Sequence, residues 1–427
     1  MKKSLFAIAA VTAFAGAAQA QSSVTVYGIL DVGYVGGNTT TNNSAATSPT
    51  SKNNKVTGNQ FGQNAESTSR LGFRGTEDLG SGLSAFFTTE FALAPQEADI
   101  SGNSNLGLQN RQTFVGLKKN GIGQAAIGTQ YTGIHTAVAA TDPGQANNMV
   151  GNVIYSFGSG VATSSSGSTA AQGNTVAYTV RMANALTVQS DAMAGFRVNG
   201  MFVMNNQTTT VGTTGLTGGS VNTNGWGLGA DYTLNKFYAT AQYQAFKQQA
   251  ELATAGAQPF NGAGVLPVTL TTDAAATTAG AVVGTNTTAV NASQGRNIQD
   301  NQMYAAATYD FGILKAYAQY VSRKATATYN TNYYGKRSAE QIGVRSFITP
   351  KIEGWASAGL GRYTAYGVGS PTANFNAWQL GSNYWLSKRT NLYAIYGSTT
   401  TSNSTTTTGA LVSGSAQNYA VGVRHTF

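Results

Sequence analysis

Residues 69–80 read Ser-Arg-Leu-Gly-Phe-Arg-Gly-Thr-Glu-Asp-Leu-Gly. In an extended chain, Leu71 and Phe73 fall on one face while Arg70, Gly72 and Arg74 fall on the other, because successive side chains of a strand point to opposite sides. A helix would scatter both sets around its circumference. The stretch runs straight into Asp78-Leu79-Gly80-Ser81-Gly82, whose glycines and serine mark a tight turn. A short strand with one greasy face and one arginine-bearing face is therefore the unit from which the fold must be built.

Working outward, the same unit recurs. In 24–32 the even positions are apolar or Gly, with Thr25 and Asp31 opposite; in 419–427, Tyr419, Val421, Val423, His425 and Phe427 oppose Gly422, Arg424 and Thr426. In 175–182, Val176, Tyr178, Val180 and Met182 oppose Thr175, Ala177, Thr179 and Arg181. The spacing predicts sixteen strands, near 24–35, 67–77, 83–93, 109–118, 124–131, 174–182, 193–206, 224–234, 237–248, 298–310, 314–326, 337–348, 354–366, 375–386, 390–400 and 416–427. Residues 183–192 receive no element. Tight turns at 78–82, 235–236, 311–313 and 387–389 alternate with long Thr/Ser/Asn/Gly stretches at 36–66, 132–173, 207–223, 249–297 and 401–415. Short turns at one end and long loops at the other are the pattern of an antiparallel transmembrane β-barrel. A soluble sandwich has no reason to segregate loop lengths, and a β-solenoid needs a fixed repeat that the chain lacks.

The amino terminus agrees with export. Lys2 and Lys3, the apolar stretch 5–15 and Ala18-Gln19-Ala20 read as a cleaved signal peptide over 1–20, leaving 21–427 as one barrel domain. Composition narrows the chemistry. Of 427 residues only 10% are charged, and there is no Cys, which excludes disulfide scaffolds, cysteine nucleophiles and thiolate metal sites. With two histidines, His135 in a loop and His425 on the apolar face of the last strand, neither a histidine metal site nor a hydrolase finds its parts. Asp310-Phe311-Gly312 and the glycines of 225–230 match kinase and dinucleotide motifs by letters alone, since the flanking elements are wrong. The net charge of +9 is spread singly along strands rather than gathered in a patch, which argues against nucleic acid. No enzyme, metal or cofactor is expected.

Tyr34, Phe91, Tyr131, Tyr232, Phe237, Tyr384, Tyr396 and Phe427 fall near predicted strand ends, where aromatic girdles sit at lipid interfaces. Charge at the lipid midplane costs roughly 2–4 kcal/mol, so the strand arginines must face the lumen. The expected lumen cations are Arg70, Arg74, Arg111, Arg181, Arg197 and Arg424, with Lys315 and Arg323 beside them; the expected acids are Asp31, Glu90, Asp231 and, from the loop, Asp142. Arg70, Arg74 and Arg111 would form a cationic ladder favouring anions, unless Arg70 and Arg74 merely pair with Glu90 or Asp31 to brace the wall.

Val26-Tyr27-Gly28 with Asp31, the 69–80 stretch, Arg111-Gln-Thr-Phe-Val-Gly-Leu117, Tyr309-Asp-Phe-Gly312, Tyr384-Trp-Leu-Ser-Lys-Arg-Thr-Asn-Leu-Tyr393 and the segment 418–427 resemble, in order, the Gram-negative trimeric porins of the beta-proteobacterial branch. The resemblance implies sixteen antiparallel strands with short periplasmic turns, a homotrimer in outer-membrane lipid and lipopolysaccharide, and a water-filled pore for ions and small hydrophilic solutes. It also implies a third external loop folded inward as a constriction, here 132–173, carrying Asp142-Pro143-Gly144 and Asn147-Asn148. One departure stands out: Gly128-Thr129-Gln130 lacks the arginine that the family often places after this glycine, which weakens the expected anion preference. A substrate-specific channel, or an adhesin working through loops 36–66 and 249–297, are the competing readings.

Overall fold

The computed structural model describes residues 23–43, 53–97, 100–101, 107–156, 175–209, 219–250, 296–327, 334–365, 372–405 and 411–427; the expected signal segment and most of the long loop 249–297 lie outside them. The strands are β1 (Ser23–Asn43), β2 (Asn53–Gln63), β3 (Arg70–Gly80), β4 (Leu83–Ala92), β5 (Asn110–Lys119), β6 (Gly123–Tyr131), β7 (Arg181–Ser190), β8 (Phe196–Thr209) and β9 (Gly219–Leu234). They continue with β10 (Phe237–Ala250), β11 (Arg296–Asp310), β12 (Lys315–Ala327), β13 (Tyr334–Phe347), β14 (Ile352–Ala365), β15 (Thr372–Trp385), β16 (Thr390–Thr405) and β17 (Leu411–Thr426). One helix, α1 (Gly133–Thr141), interrupts the series between β6 and β7.

Each strand from β3 onward pairs antiparallel with the next, and β17 returns to β1 from Ile29↔Thr426 to Asn43↔Val412. The sheet is therefore closed. Seventeen segments make a sixteen-stranded barrel because β2 and β3 share one stave: β3 pairs with the first part of β1, β2 with its second part, and residues 64–69 bow out between them. Closure satisfies every strand edge, which is the condition for sheet structure inside lipid.

Alternation governs both faces. Along β13, Arg337, Gln341 and Arg345 are buried inside while Ile342 and Val344 are exposed outside; along β9, Trp226 and Leu228 point out. The exposed apolar side chains form the outer surface that lipid requires. Tyr34, Phe91, Tyr232, Phe237, Tyr384, Tyr396 and Phe427 lie on that outer face, but Tyr131 turns inward to an arginine. The short connections are built as expected: Gly80, Ser81 and Gly82 all adopt positive φ (85°, 53° and 72°), and Asn235 (52°) starts the two-residue β9–β10 turn.

The expected strand at 174–182 is corrected. β7 runs from Arg181 to Ser190, through the stretch left without an element, and 175–180 return inside the barrel. Ala177, Tyr178 and Val180 are buried in a cluster with Ile134, Val138, Val153 and Ile154. Period-two apolarity in this segment marks packing against the inward loop, and alternation by itself does not distinguish a lipid face from such a contact.

Candidate functional site

The inward segment begins where Thr132 caps α1, its hydroxyl accepting from the His135 amide (3.2 Å) and donating to the Thr179 carbonyl (2.7 Å). α1 packs against the inner faces of β8 to β12. The chain then crosses to β13–β16: Arg345 Nη1 donates to the Pro143 carbonyl (2.8 Å), Gln379 Nε2 donates to the carbonyls of Met149 (2.8 Å) and Val150 (2.6 Å), and Val153 N donates to Gln341 Oε1 (3.1 Å). Asn147 and Gln379 exchange amide bonds at 3.0 and 3.2 Å. The backbone of 132–156 thus lies against the inner wall over half the circumference. The wall makes room for it: a Cβ at Gly343, Gly359 or Gly397 would stand 2.5, 2.4 and 1.8 Å from Pro143, Val153 and Val150 respectively.

Inward glutamines hold this seat. Gln244 donates to Gln302 (2.6 Å), Gln302 both donates to and accepts from Thr179, and Gln341 donates to Gln319 (2.9 Å) and to Asp142 Oδ1 (3.0 Å). An amide offers donors and acceptors at once without a charge, so it can satisfy an irregular backbone enclosed by a barrel, where unpaired polar groups are costly. Asp142 sits at the centre of the belt, accepting from Gln341, Asn152 Nδ2 (2.8 Å) and the Ala146 amide (2.7 Å). Burial raises its carboxyl above the ordinary range despite these donors. His135 is pushed well below its ordinary value, first by burial and then by the nearby Arg181, Arg111 and Arg70; its ring packs at a tilt of 45° against Tyr131 (4.4 Å) and meets the Tyr178 hydroxyl (3.2 Å).

Facing the loop is the arginine wall. Arg111 Nε donates to Glu90 Oε1 (2.8 Å) and Nη2 to the Tyr131 hydroxyl (2.8 Å); both charged side chains are buried. The Tyr27 hydroxyl donates to Glu90 Oε2 (3.1 Å), and Arg70 stands 3.9 Å from the same carboxylate while keeping 21% of its side chain exposed. Arg74 is exposed and lies over the Tyr27 ring (5.3 Å). Arg181 is buried over Tyr131 (5.7 Å). Water therefore reaches the cationic wall at Arg70 and Arg74, while Arg111 is held by its acid.

The other expected residues divide between bracing and lining. Asp31 is fully buried: it accepts from the Glu66 and Ser67 amides (2.9 and 2.6 Å) and the Tyr393 hydroxyl (2.6 Å), fixing the 64–69 excursion. Arg424 lies 3.5 Å from Glu66 and over Trp385. Arg197 stands opposite Asp231 across β8–β9, Lys315 packs over Tyr317 (5.1 Å), and Arg323 clasps Asp300 (2.6 Å). Sequence reasoning missed Glu66, Asp300, Arg337, Arg345 and Glu353. Arg345 pairs with Glu353 (2.5 Å), and Arg337 donates to the Val153 carbonyl (2.6 Å) over the Phe375 ring. Arg337, Gln341 and Arg345 recur every fourth residue of a predicted strand, a signal legible in advance. Gln130, where the family often has arginine, is buried and bonds the Ala126 and Ala185 carbonyls (3.1 Å each). Among the described residues no group of three or more acids and histidines is placed to hold a metal.

With that geometry in view, comparisons with known proteins are informative. A family model described as Gram-negative porin matches residues 7–404. An outer membrane porin protein of Bordetella pertussis is 33% identical over 203 residues, 46% of each chain, and outer membrane porin protein 32 of Delftia acidovorans is 43% identical over 133 residues, 30% of this chain and 31% of that one. These alignments span less than half of the curated relatives' length. The anion-selective porin from Comamonas acidovorans has the same fold at 19% identity, with a TM-score of 0.59 over 95% of this chain and 100% of that one. Salmonella typhi OmpF does so at 15% identity, with a TM-score of 0.55 over 95% and 97%. Matched by the family model along nearly its whole length and closed into the same barrel, the chain belongs to the Gram-negative porin family of the bacterial outer membrane.

Proposed function

We propose that the chain forms a passive, water-filled channel through which ions and small hydrophilic solutes cross the outer membrane, with a mild preference for anions and no catalytic step. One observation carries the reading: a closed barrel, apolar outside, holds a cationic wall inside on which Arg70 and Arg74 meet water while the one acid beside them, Glu90, is shared between Arg111 and Arg70. Selectivity then follows from field focusing at the wall that faces the inward segment 132–156. Membership of the family and the shared fold of the anion-selective Comamonas porin support it. We also propose that the functional unit is a homotrimer embedded in lipid and lipopolysaccharide. Reversal potentials of single channels under a potassium chloride gradient test the channel: stepwise currents with an anion-favouring potential support it, and a silent, correctly folded barrel refutes it.

A second reading, solute-specific uptake, is favoured by the tyrosines beside the arginine wall. Tyr27 and Tyr131 flank Arg70 and Arg111, and Tyr155 closes on His135 from the loop (5.8 Å). Flux of an aromatic carboxylate that saturates, where chloride flux does not, is the result expected of it.

A further inference from the structure

The β12–β13 hairpin presents cations on both faces, and the two sets are treated differently. Inside, Arg323 and Arg337 stand opposite each other in register and are enclosed by partners: Arg323 pairs with Asp300 and donates to the Thr175 carbonyl, while Arg337 donates to Tyr363 and the Val153 carbonyl over the Phe375 ring, its Nη1 left without a partner. Outside, one residue along each strand, Lys324 stands opposite Lys336. Both are exposed, and among the described residues neither has a carboxylate within ion-pair distance; Lys324 has only the Tyr334 ring (4.8 Å). Arg362, exposed on β14 and in register with Ser338, adds a third cation beside them. Like charges directly opposite across a strand pair destabilise it. In the two facing cation pairs of the inner wall one member has a carboxylate, Asp300 for Arg323 and Glu353 for Arg345, whereas the outer pair has none, so an external anion is the missing partner.

The position says which anion. The trio lies at the long-loop end of its strands; exposed Leu360 (56%) follows Arg362 on the outer face of β14, and on β13 a single acid, exposed Glu340 opposite Leu360, stands between the cations and Ile342 (68%). Cations at the rim of an apolar band lie at headgroup depth, where polybasic surfaces gather anionic lipid. Resting on the outer-membrane reading above, we propose that Lys324, Lys336 and Arg362 form a binding site for the phosphate groups of a phosphorylated glycolipid in the outer leaflet. The lipid phosphate bridges the two lysines and its acyl chains lie down over Ile342 and Leu360.

Native mass spectrometry of the detergent-solubilised barrel titrated with diphosphorylated lipid A tests the site. The double variant Lys324→Gln/Lys336→Gln is expected to bind about thirtyfold more weakly, taking roughly tenfold or less per surface cation. Dephosphorylated lipid A is expected to bind the wild type as weakly as the variant binds the parent lipid. Equal affinity of wild type and double variant overturns the site. So does an equal loss from Lys351→Gln, an exposed lysine in the short turn at the opposite end, or full competition by inorganic phosphate alone, which would make it a free-anion site. Should the double variant not reach the heat-modifiable folded form, Lys336→Gln alone carries the same comparison. Conductance recorded on the same samples is independent: a silent wild type that still binds lipid A contradicts the channel and leaves the lipid site standing.

Discussion

At the scale of single residues, the wall separates cations that meet the solute from cations that hold the protein together. Arg70 and Arg74 keep water contact, so Arg70→Ser with Arg74→Ser is expected to shift the reversal potential toward cations without loss of fold; an unchanged potential in the double variant removes them from selectivity. Arg111 behaves otherwise. Its guanidinium is bound between Glu90 and Tyr131, and removing one member of a buried pair costs about 3–5 kcal/mol, so Arg111→Ser is expected to unfold at distinctly lower temperature by circular dichroism. A melting temperature within a degree or so of wild type would show the pair to be dispensable. Asp142 carries the pH dependence. Burial places its carboxyl above the ordinary range. Because the folded value is raised, the stability this group contributes is present at low pH and is lost as pH rises through that value. Acidification therefore removes a negative charge from the lumen without loosening the loop, and it does so starting above about pH 4. Anion preference is expected to rise as pH falls through that range in wild type and to lack this component in Asp142→Asn; identical pH profiles would exclude Asp142 as the source.

At the scale of the element, the inward segment is held by neutral amides and by the absence of side chains beneath it. Gln379 alone makes bonds to Asn147, Met149 and Val150. At about 1 kcal/mol each, its loss in Gln379→Leu is expected to free the loop, seen as larger and noisier single-channel conductance with the barrel intact; a quiet channel of wild-type conductance would mean that other contacts suffice. The strands themselves were legible in the sequence because lipid outside and water inside impose a period of two. The loop's seat was not. Gln341, Gln379, Gly343 and Gly397 read as ordinary polar or small lumen positions until a backbone is laid against them. The same ambiguity moved one strand, since Tyr178 and Val180 alternate as a lipid face would, yet pack on Ile134 and Val153. The pairing that neutralises Arg323 and Arg345 was not legible, because the partners Asp300 and Glu353 lie on neighbouring strands at a register that the sequence does not state.

At the scale of the whole molecule, every strand but two has its neighbours close in sequence. The exception is the seam, where Ile29 meets Thr426 and Leu30 meets His425. Fifteen successive pairings can form as the strands emerge, yet the seam joins the first described strand to the last and must pay the closure entropy of nearly the entire chain. Until that moment β1 and β17 are both open edges, ready templates for pairing with any other extended chain. With seam closure as the rate-limiting step, a variant such as Val421→Pro, which removes a ladder donor on the last strand, is expected to slow folding into vesicles far more than it speeds unfolding of the finished barrel. A change confined to the unfolding rate would place seam formation after the barrier instead. The order of events has a further consequence for the cell. A half-made barrel is the most adhesive form this protein ever takes, and its hazard lies in crowding during transit rather than in its service at the membrane. Supply of the chain has to be matched to the rate at which membrane-side machinery can zip the last edge shut.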